Sequence, residues 1–121
     1  MTTGVTITLP WPPSVNRYYR RVGNRTLISR EGREYRTKVV EMVASCGQQI
    51  RVEGRLSVSI DAFPPDRRRR DLDNVLKALL DAMQHAGIYE DDANIDRLLI
   101  ERMAVQPKNG QVIVTIETIE E

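Results

Sequence analysis

Alternation of apolar and polar residues predicts strands in four parts of the chain. These are residues 5–10, 55–63, about 97–105 and 111–119. In the second of them, alternate residues should face a core, namely Leu56, Val58, Ile60 and Ala62. Pro64 and Pro65 should end that strand because proline cannot continue a hydrogen-bonded ladder.

Two segments repeat apolar residues at helical spacing instead. The stronger stripe predicts an amphipathic helix from about Asp73 to Ala86, which Gly87 would end. The other helix should begin after Ser29 as N-cap and stop at Gly47. The first stripe comprises Leu72, Val75, Leu76, Leu79, Leu80 and Met83, and the second comprises Tyr35, Val39, Met42, Val43 and Cys46. Prolines make residues 10–27 a long loop, with room for a short strand at Thr26–Ile28.

The resulting order, β-α-β-α-β-β, predicts a two-layer α+β fold. We expect a mixed sheet with both main helices on one face. The last two strands, joined by a turn at "PKNG", should form a hairpin or a near relative of one. A chain of 121 residues suits one domain, residues 1–121.

Charge is distributed unevenly along the chain. Residues 1–70 hold 14 Lys/Arg and 6 Asp/Glu, whereas residues 71–121 hold 4 and 11, so a net charge of +1 hides a basic half and an acidic half. Such a split indicates a nucleic-acid partner for the basic half. Mutual neutralisation of the two halves on the folded surface is the alternative.

The sequence also bears on where the protein works. It has no apolar run long enough to span a bilayer, and its N-terminus does not resemble an export signal. The only cysteine, Cys46, cannot form an internal disulfide and is expected to be a packing residue. We therefore expect a cytoplasmic protein that does not bind membranes.

Residues 67–74, "RRRRDLDN", place two carboxylates beside four guanidinium groups. Asp71 and Asp73 would converge if the segment is extended, and Asp91 and Asp92 add further oxygen ligands. Oxygen ligands with a single histidine, His85, favour Mg²⁺ or Mn²⁺ over zinc. An ion of this kind beside an arginine patch suits phosphodiester hydrolysis.

Structural roles can also explain these acids. Asp71 or Asp73 can cap the following helix. Asp73, Lys77 and Asp81 have the i, i+4, i+8 spacing of an exposed ladder of ion pairs. The residues alone leave both interpretations open.

A second basic segment lies in the N-terminal loop. Arg17, Arg20 and Arg21 flank Tyr18 and Tyr19, a combination that can hold phosphates and stack on unpaired bases. The alternative is that Trp11 and one of the tyrosines pack in the core or in a dimer contact.

Three segments, "ITLPWPPSVNRYYR", "PPDRRRRDLDNVLKALLDAMQHAG" and "YEDDANID", resemble the RusA family of Holliday junction resolvases, colinearly and over almost the full length. The resemblance implies a Mg²⁺-dependent homodimer, without a small-molecule cofactor, that nicks four-way DNA junctions symmetrically. It implies metal-binding catalytic roles for Asp71, Asp73 and Asp92, and an essential role for Lys77. Asn74 and Asp91 would support them. DNA binding is expected from Arg17, Tyr18, Arg20, Arg21, Arg67, Arg68, Arg69 and Arg70.

The position of Asp92 is left open by the chain length between the acids. A helix from Asp73 to Ala86 carries the chain roughly 20 Å away from Asp71, at about 1.5 Å per residue. Residues 87–92 can return over a similar length if extended. Asp92 therefore comes back to the same site, or the partner subunit supplies it.

Overall fold

A computed structural model describes residues 4–46 and 50–120. Its strands are β1 (Gly4–Pro10), β2 (Tyr19–Val22), β3 (Arg25–Ile28), β4 (Leu56–Phe63), β5 (Ile95–Arg102) and β6 (Gln111–Thr118). Its α-helices are α1 (Val15–Tyr18), α2 (Arg30–Ala44) and α3 (Asp73–His85). A 3₁₀ turn, Asp92–Asn94, precedes β5. The fold is α+β, as predicted.

The main sheet has the strand order β1-β6-β4-β5. Strand β4 pairs antiparallel with β6 and parallel with β5, and β6 pairs antiparallel with β1. Strand β4 is therefore central, which agrees with its strict alternation: Leu56, Val58, Ile60 and Ala62 are buried. Strand β5 lies at an edge of the sheet.

Helix α3 connects the two parallel strands, β4 and β5. Val75, Leu79 and Met83, from the predicted stripe, are buried, while Leu76 and Leu80 are partly buried against the core. Gly87 follows the helix with a φ of 81°, a left-handed conformation that glycine adopts without strain. The predicted helix and its end are confirmed.

Helix α2 begins where predicted. The Ser29 hydroxyl accepts a hydrogen bond from the Gly32 amide at 2.9 Å and so caps the helix. A Cβ atom at Gly32 would overlap the Tyr18 carbonyl oxygen, so the absence of a side chain lets α2 pack closely on α1. The predicted stop, Gly47, lies outside the described residues.

Four expectations about the fold were wrong in detail. Strands β5 and β6 are not a hairpin, because β4 lies between them in the sheet. Residues 10–27 were expected to be a loop but contain α1 and β2. Strand β2 pairs with β3, which includes the predicted short strand at Thr26–Ile28. Cys46 is exposed rather than packed, because α2 ends at Ala44. Met42, from the predicted apolar stripe of α2, is also exposed, at 36%.

Within the described residues, no helix is long and apolar enough to span a membrane, which agrees with the sequence.

Candidate nucleic-acid interface and active site

The loop between β4 and α3, residues 64–72, is organised around Asp66. Its carboxylate accepts hydrogen bonds from the Arg70 guanidinium at 2.7 Å and from the Arg68 amide at 2.9 Å. These bonds, with that of Arg70 contributing most, lower the pKa of Asp66 to about 2. Asp66 is therefore ionised at neutral pH and holds the loop in shape.

Arg70 is fixed within this loop. Its guanidinium carbon lies 5.9 Å from the centre of the Trp11 ring, and its carbonyl oxygen accepts a hydrogen bond from Arg102. We call Trp11, Asp66 and Arg70 the loop cluster. Because its charge is paired with Asp66, Arg70 contributes more to positioning than to an open cationic surface.

The other three arginines of the quartet are exposed. The Arg68 side chain is 83% exposed and forms only a 3.9 Å ion pair with Asp66. Arg67 and Arg69 have no side-chain hydrogen bond or ion pair with any described residue. The predicted four-arginine patch thus divides into one positioned residue and three that can bind an anion.

Asp71 and Asp73 leave their carboxylates uncommitted. Leu72 occupies the N-cap position of α3, and no side chain caps the helix. Neither aspartate forms a side-chain capping bond, so the capping interpretation is wrong, although Asp73 lies in the first turn of α3, where the helix dipole favours an acid. Both aspartates are exposed. Lys77, one turn further along α3, is also exposed, whereas Asn74 is partly buried.

The proposed ion-pair ladder along α3 does not form either. Asp81 turns instead to Arg36 of α2, whose guanidinium donates to it at 2.6 Å, and to the Tyr18 hydroxyl, which donates a short hydrogen bond. Arg36 also lies 5.9 Å from the centre of the Tyr18 ring. We call Tyr18, Arg36 and Asp81 the inner cluster. It connects α1, α2 and α3.

The inner cluster corrects one predicted site residue. Tyr18 is fully buried, and burial followed by its bond to Asp81 raises the pKa of its hydroxyl. Its ring cannot stack on DNA in this structure, and its role is in the core. Arg36 did not stand out in the sequence, and Asp81 was assigned to an exposed ion-pair ladder, since an arginine in a helix and an acid at i+4 from a lysine are common surface residues.

The other residues of the N-terminal loop face solvent. Arg20 and Arg21 lie exposed on β2. Arg17 forms a 3.4 Å ion pair with Glu31, in which its side chain is 73% exposed. These three arginines remain available to DNA, and their binding role stays a prediction.

Asp91 and Asp92 lie at the far end of the β4-α3-β5 unit. The Asp91 carboxylate accepts from the Ala93 amide at 2.9 Å and caps the 3₁₀ turn. The Asp92 amide donates to the side-chain oxygen of Gln84. The Tyr89 hydroxyl donates to the Leu80 carbonyl oxygen, and burial, with a further contribution from the charge of Asp92, raises the pKa of Tyr89.

Register along β4 shows how far this end lies from Asp71. Ile95, three residues after Asp92, pairs with Leu56 at the start of β4. Arg102 pairs with Ala62 near the end of β4 and donates to the carbonyl oxygen of Arg70, the residue before Asp71. Eight strand residues cover about 23 Å at roughly 3.3 Å per step. Asp92 and the Asp71–Asp73 pair therefore lie at opposite ends of β4.

This separation bears on the expected metal site. Among residues 4–46 and 50–120, no group of three or more His, Cys, Asp or Glu side chains could hold a metal ion. A single chain in this conformation does not fit an ion held by Asp71, Asp73 and Asp92 together. Their roles as ligands remain predictions.

Beside Asp71 lies a cleft of about 730 Å³ that the sequence did not indicate. It separates the Trp11–Arg17 segment and α2 from the arginine loop and the start of α3. Asp71 and Asn74 line it together with Trp11, which is partly buried against the core. Trp11 was expected in the core or in a dimer contact, and its partial exposure to this cleft refines that expectation.

Comparison with known proteins identifies the family. The sequence matches the family model of endodeoxyribonuclease RusA over residues 10–117. The chain belongs to the RusA family. A protein of Shigella sonnei (strain Ss046), named crossover junction endodeoxyribonuclease RusA, is 44% identical over 110 residues, which cover 91% of each chain.

Further relatives of the same name come from a bacterium and from a phage. That of Escherichia coli (strain K12) is 44% identical over 110 residues, covering 91% of each chain. That of Enterobacteria phage HK97 is 41% identical over 112 residues, covering 93% of this chain and 92% of the relative. The match therefore includes both the arginine loop and the segment that carries Asp91 and Asp92.

Proposed function

We propose that this chain is a Mg²⁺-dependent endodeoxyribonuclease that resolves four-way DNA junctions by paired nicks, acting in the cytoplasm as a homodimer. The observation that carries the proposal is the closeness in sequence of exposed acidic and basic side chains that make no ion pair. Asp71, at the end of the arginine loop, and Asp73, the first residue of α3, follow Arg67 and Arg69 within a few residues, and none of the four side chains has a partner among the described residues. Together with membership of the RusA family, this suits binding and hydrolysis of a phosphodiester.

The residues divide the work by their chemistry. Arg67, Arg68 and Arg69 bind backbone phosphates, while Lys77 stabilises charge that develops at the scissile phosphate. Asp71, Asp73 and Asp92 supply oxygen ligands for Mg²⁺, for which Mn²⁺ can substitute, and no small-molecule cofactor takes part. An ion of this type contributes polarisation of the phosphoryl group and activation of water.

Within one chain, Asp92 lies at the opposite end of β4 from Asp71 and Asp73. We therefore assign the Asp92 of each site to the partner subunit. The edge strand β5 supports this assignment. Its outer edge has no strand partner among the described residues, and it exposes Leu98 (40%) and Leu99 (53%). An unpaired edge strand with exposed apolar residues at its centre is a ready template for pairing with another chain.

Antiparallel pairing of β5 with β5 of a second subunit would bring Asp92 of that subunit close to Asp71 and Asp73. In an isologous contact centred between Leu98 and Leu99, Ile95 of one subunit faces Arg102 of the other. Arg102 donates to the Arg70 carbonyl oxygen at 2.7 Å, next to Asp71. The 3₁₀ turn of the partner, with Asp92, is thereby brought towards Asp71 and Asp73. The two-fold axis would also match the near two-fold symmetry of an open junction.

The basic test of the function compares a synthetic four-way junction with a linear duplex of equal length, each with Mg²⁺ or EDTA. We expect paired nicks in the junction only, and only with the metal. Equal cutting of the duplex would instead indicate a less specific nuclease. Tight junction binding without cutting under any metal condition would indicate a non-catalytic DNA-binding module.

Mixed dimers test the shared site. Homodimers of Asp71→Asn and of Asp92→Asn should each bind the junction without nicking it, because neutralising an acid near DNA does not weaken electrostatic attraction. A heterodimer of the two variants should recover one nick per junction. One of its two sites then combines an intact Asp71 with an intact Asp92 from the other subunit. A heterodimer as inactive as its parents would place all three acids of a site in one chain.

A further inference from the structure

The cleft beside Asp71 has apolar walls and a cationic rim. Its apolar lining comprises Trp11, Pro12, Pro13, Tyr35 and Val75. Its cationic lining comprises Arg17, Lys38, Arg68, Arg69 and Arg70. The Tyr35 hydroxyl donates to the Pro10 carbonyl oxygen at 2.8 Å, so α2 and the segment that carries Trp11 are held at a fixed spacing.

Glu31 and Glu34 affect where in the cleft a negatively charged part of a ligand can bind. Glu31 is paired with Arg17 and Glu34 with Arg30, at 3.4 and 3.1 Å. The two carboxylates balance the positive charges of Arg17 and Lys38, so the α2 side of the cleft has no net charge to attract a phosphate. The exposed Arg68 and Arg69, on the opposite side, favour one. A ligand with a neutral flat group and a phosphate at its edge therefore fits the charge distribution.

Size and chemistry match a single nucleotide. A volume of 730 Å³ falls within the roughly 300–1,000 Å³ of clefts that hold small ligands. Trp11 offers an aromatic surface, and Asn74, whose side chain has no hydrogen-bond partner among the described residues, offers both a donor and an acceptor to a base edge.

We infer that the cleft receives one unstacked nucleotide from the branch point of the junction, with its base against Trp11 and its phosphate on Arg68 and Arg69. This inference rests on the proposed function and adds a reason for structural selectivity. A continuous duplex has no unpaired base to offer, and extrusion of a base from an intact stack requires breaking its pairing and stacking. At a junction, filling the cleft places the backbone next to Asp71.

Trp11 is the only tryptophan of the chain, so its fluorescence reports on the cleft directly. The wild-type protein is titrated, in EDTA to prevent cutting, with an intact four-way junction, with a junction that carries abasic residues at the branch point, and with a linear duplex. We expect quenching by the intact junction only. Equal quenching by the abasic junction, or no quenching by a junction that binds, would overturn the inference.

Ser14 allows a test that leaves Trp11 in place. It lines the cleft, and its side chain makes no capping hydrogen bond. Ser14→Tyr should fill the cleft, abolish quenching and weaken junction binding at least about fivefold, the lower end of one base–aromatic stack. Ser14→Ala is the matched control and should behave as wild type. Duplex affinity should be the same for both variants.

The two proposals fail in different ways. If wild-type protein does not cut junctions with Mg²⁺, the proposed function is wrong, whatever the fluorescence shows. If it cuts them and Ser14→Tyr, shown by circular dichroism to be folded, binds and quenches like Ser14→Ala, then only the nucleotide cleft is wrong.

Discussion

The inner cluster and the loop cluster have the same components in different settings. Each joins an arginine to an aspartate, at 2.6 Å in the inner cluster and 2.7 Å in the loop cluster, with an aromatic ring 5.9 Å from the guanidinium carbon. Each arginine side chain is 24% exposed. The local chemistry is therefore nearly the same.

The clusters differ in what they connect. Arg36 and Asp81 are 45 residues apart and link two helices over a buried tyrosine, whereas Arg70 and Asp66 are four residues apart in one loop. Breaking the first pair leaves polar groups unsatisfied between packed helices. Breaking the second changes the shape of a surface. Similar interactions should thus serve stability in one region and function in the other.

The largest expected difference is in stability. Arg36→Ala should lower the free energy of unfolding by about 2 kcal/mol, less than the roughly 3–5 kcal/mol for a fully buried pair because both side chains are about a quarter exposed. Urea denaturation measures it. Arg70→Ala should cost less than about 1 kcal/mol, as should the control Arg30→Ala, which removes a pair that is 87% and 60% exposed.

A reversal of that order would break the comparison. If Arg70→Ala destabilised the protein as much as Arg36→Ala, the loop would be part of the folding core. As a further check, Arg36→Met combined with Asp81→Leu should recover part of the stability, because a well-packed apolar pair avoids the unpaired charge.

The sequence predicts those features of the structure that depend on neighbouring residues in the chain, and it misses those that depend on contacts between distant segments. Helix α3 and strand β4 were predicted well, since their periodicity directly encodes one buried face. The pairing of β5 with β4 was missed, because alternation shows that a segment is a strand but not which strand lies beside it. The same limit affects Asp92, whose distance from Asp71 depends on that pairing.

The predicted site shows a similar division. Asp71 and the loop arginines were recognised from adjacent residues. Arg67, Arg68, Arg69 and Asp71 are exposed, as a DNA-binding surface requires, whereas Arg70 is paired with Asp66. Tyr18 was misassigned because a tyrosine between arginines has the composition of a DNA-binding loop. Its burial depends on Gly32, which admits the close approach of α2, and on Asp81, 63 residues away. No local pattern contains that information.

DNA binding provides the second comparison between the regions. Arg69→Ala should reduce the slope of log K against log salt concentration by about one for each phosphate that Arg69 neutralises in the wild-type complex. Arg36→Ala should leave the slope unchanged, because Arg36 is engaged in the inner cluster. The measurement is junction binding in EDTA over a series of salt concentrations. An unchanged slope for Arg69→Ala would place this residue off the DNA.

The smallest effect at neutral pH concerns Asp66, and its sign follows from the direction of the shift. The pKa of Asp66 is lowered in the folded protein from 3.8 to about 2, so its stabilising contribution is fully present above the unfolded value and is lost as the pH falls through the folded value. The loop should therefore change between about pH 4 and pH 2, and not near neutrality. Carboxyl chemical shifts measured by NMR should titrate near pH 2 for Asp66 in the wild type.

Substitution of Arg70 tests the cause of that shift. In Arg70→Ala the midpoint of the Asp66 titration should rise towards 3.8, since the hydrogen bond from Arg70 is the largest cause of the lowered pKa. Arg67→Ala is the matched control, because Arg67 forms no ion pair or hydrogen bond with Asp66, and it should leave the midpoint unchanged. If the Asp66 midpoint were unchanged in both variants, Arg70 would not determine the conformation of the loop. The loop cluster would then not be comparable with the inner cluster.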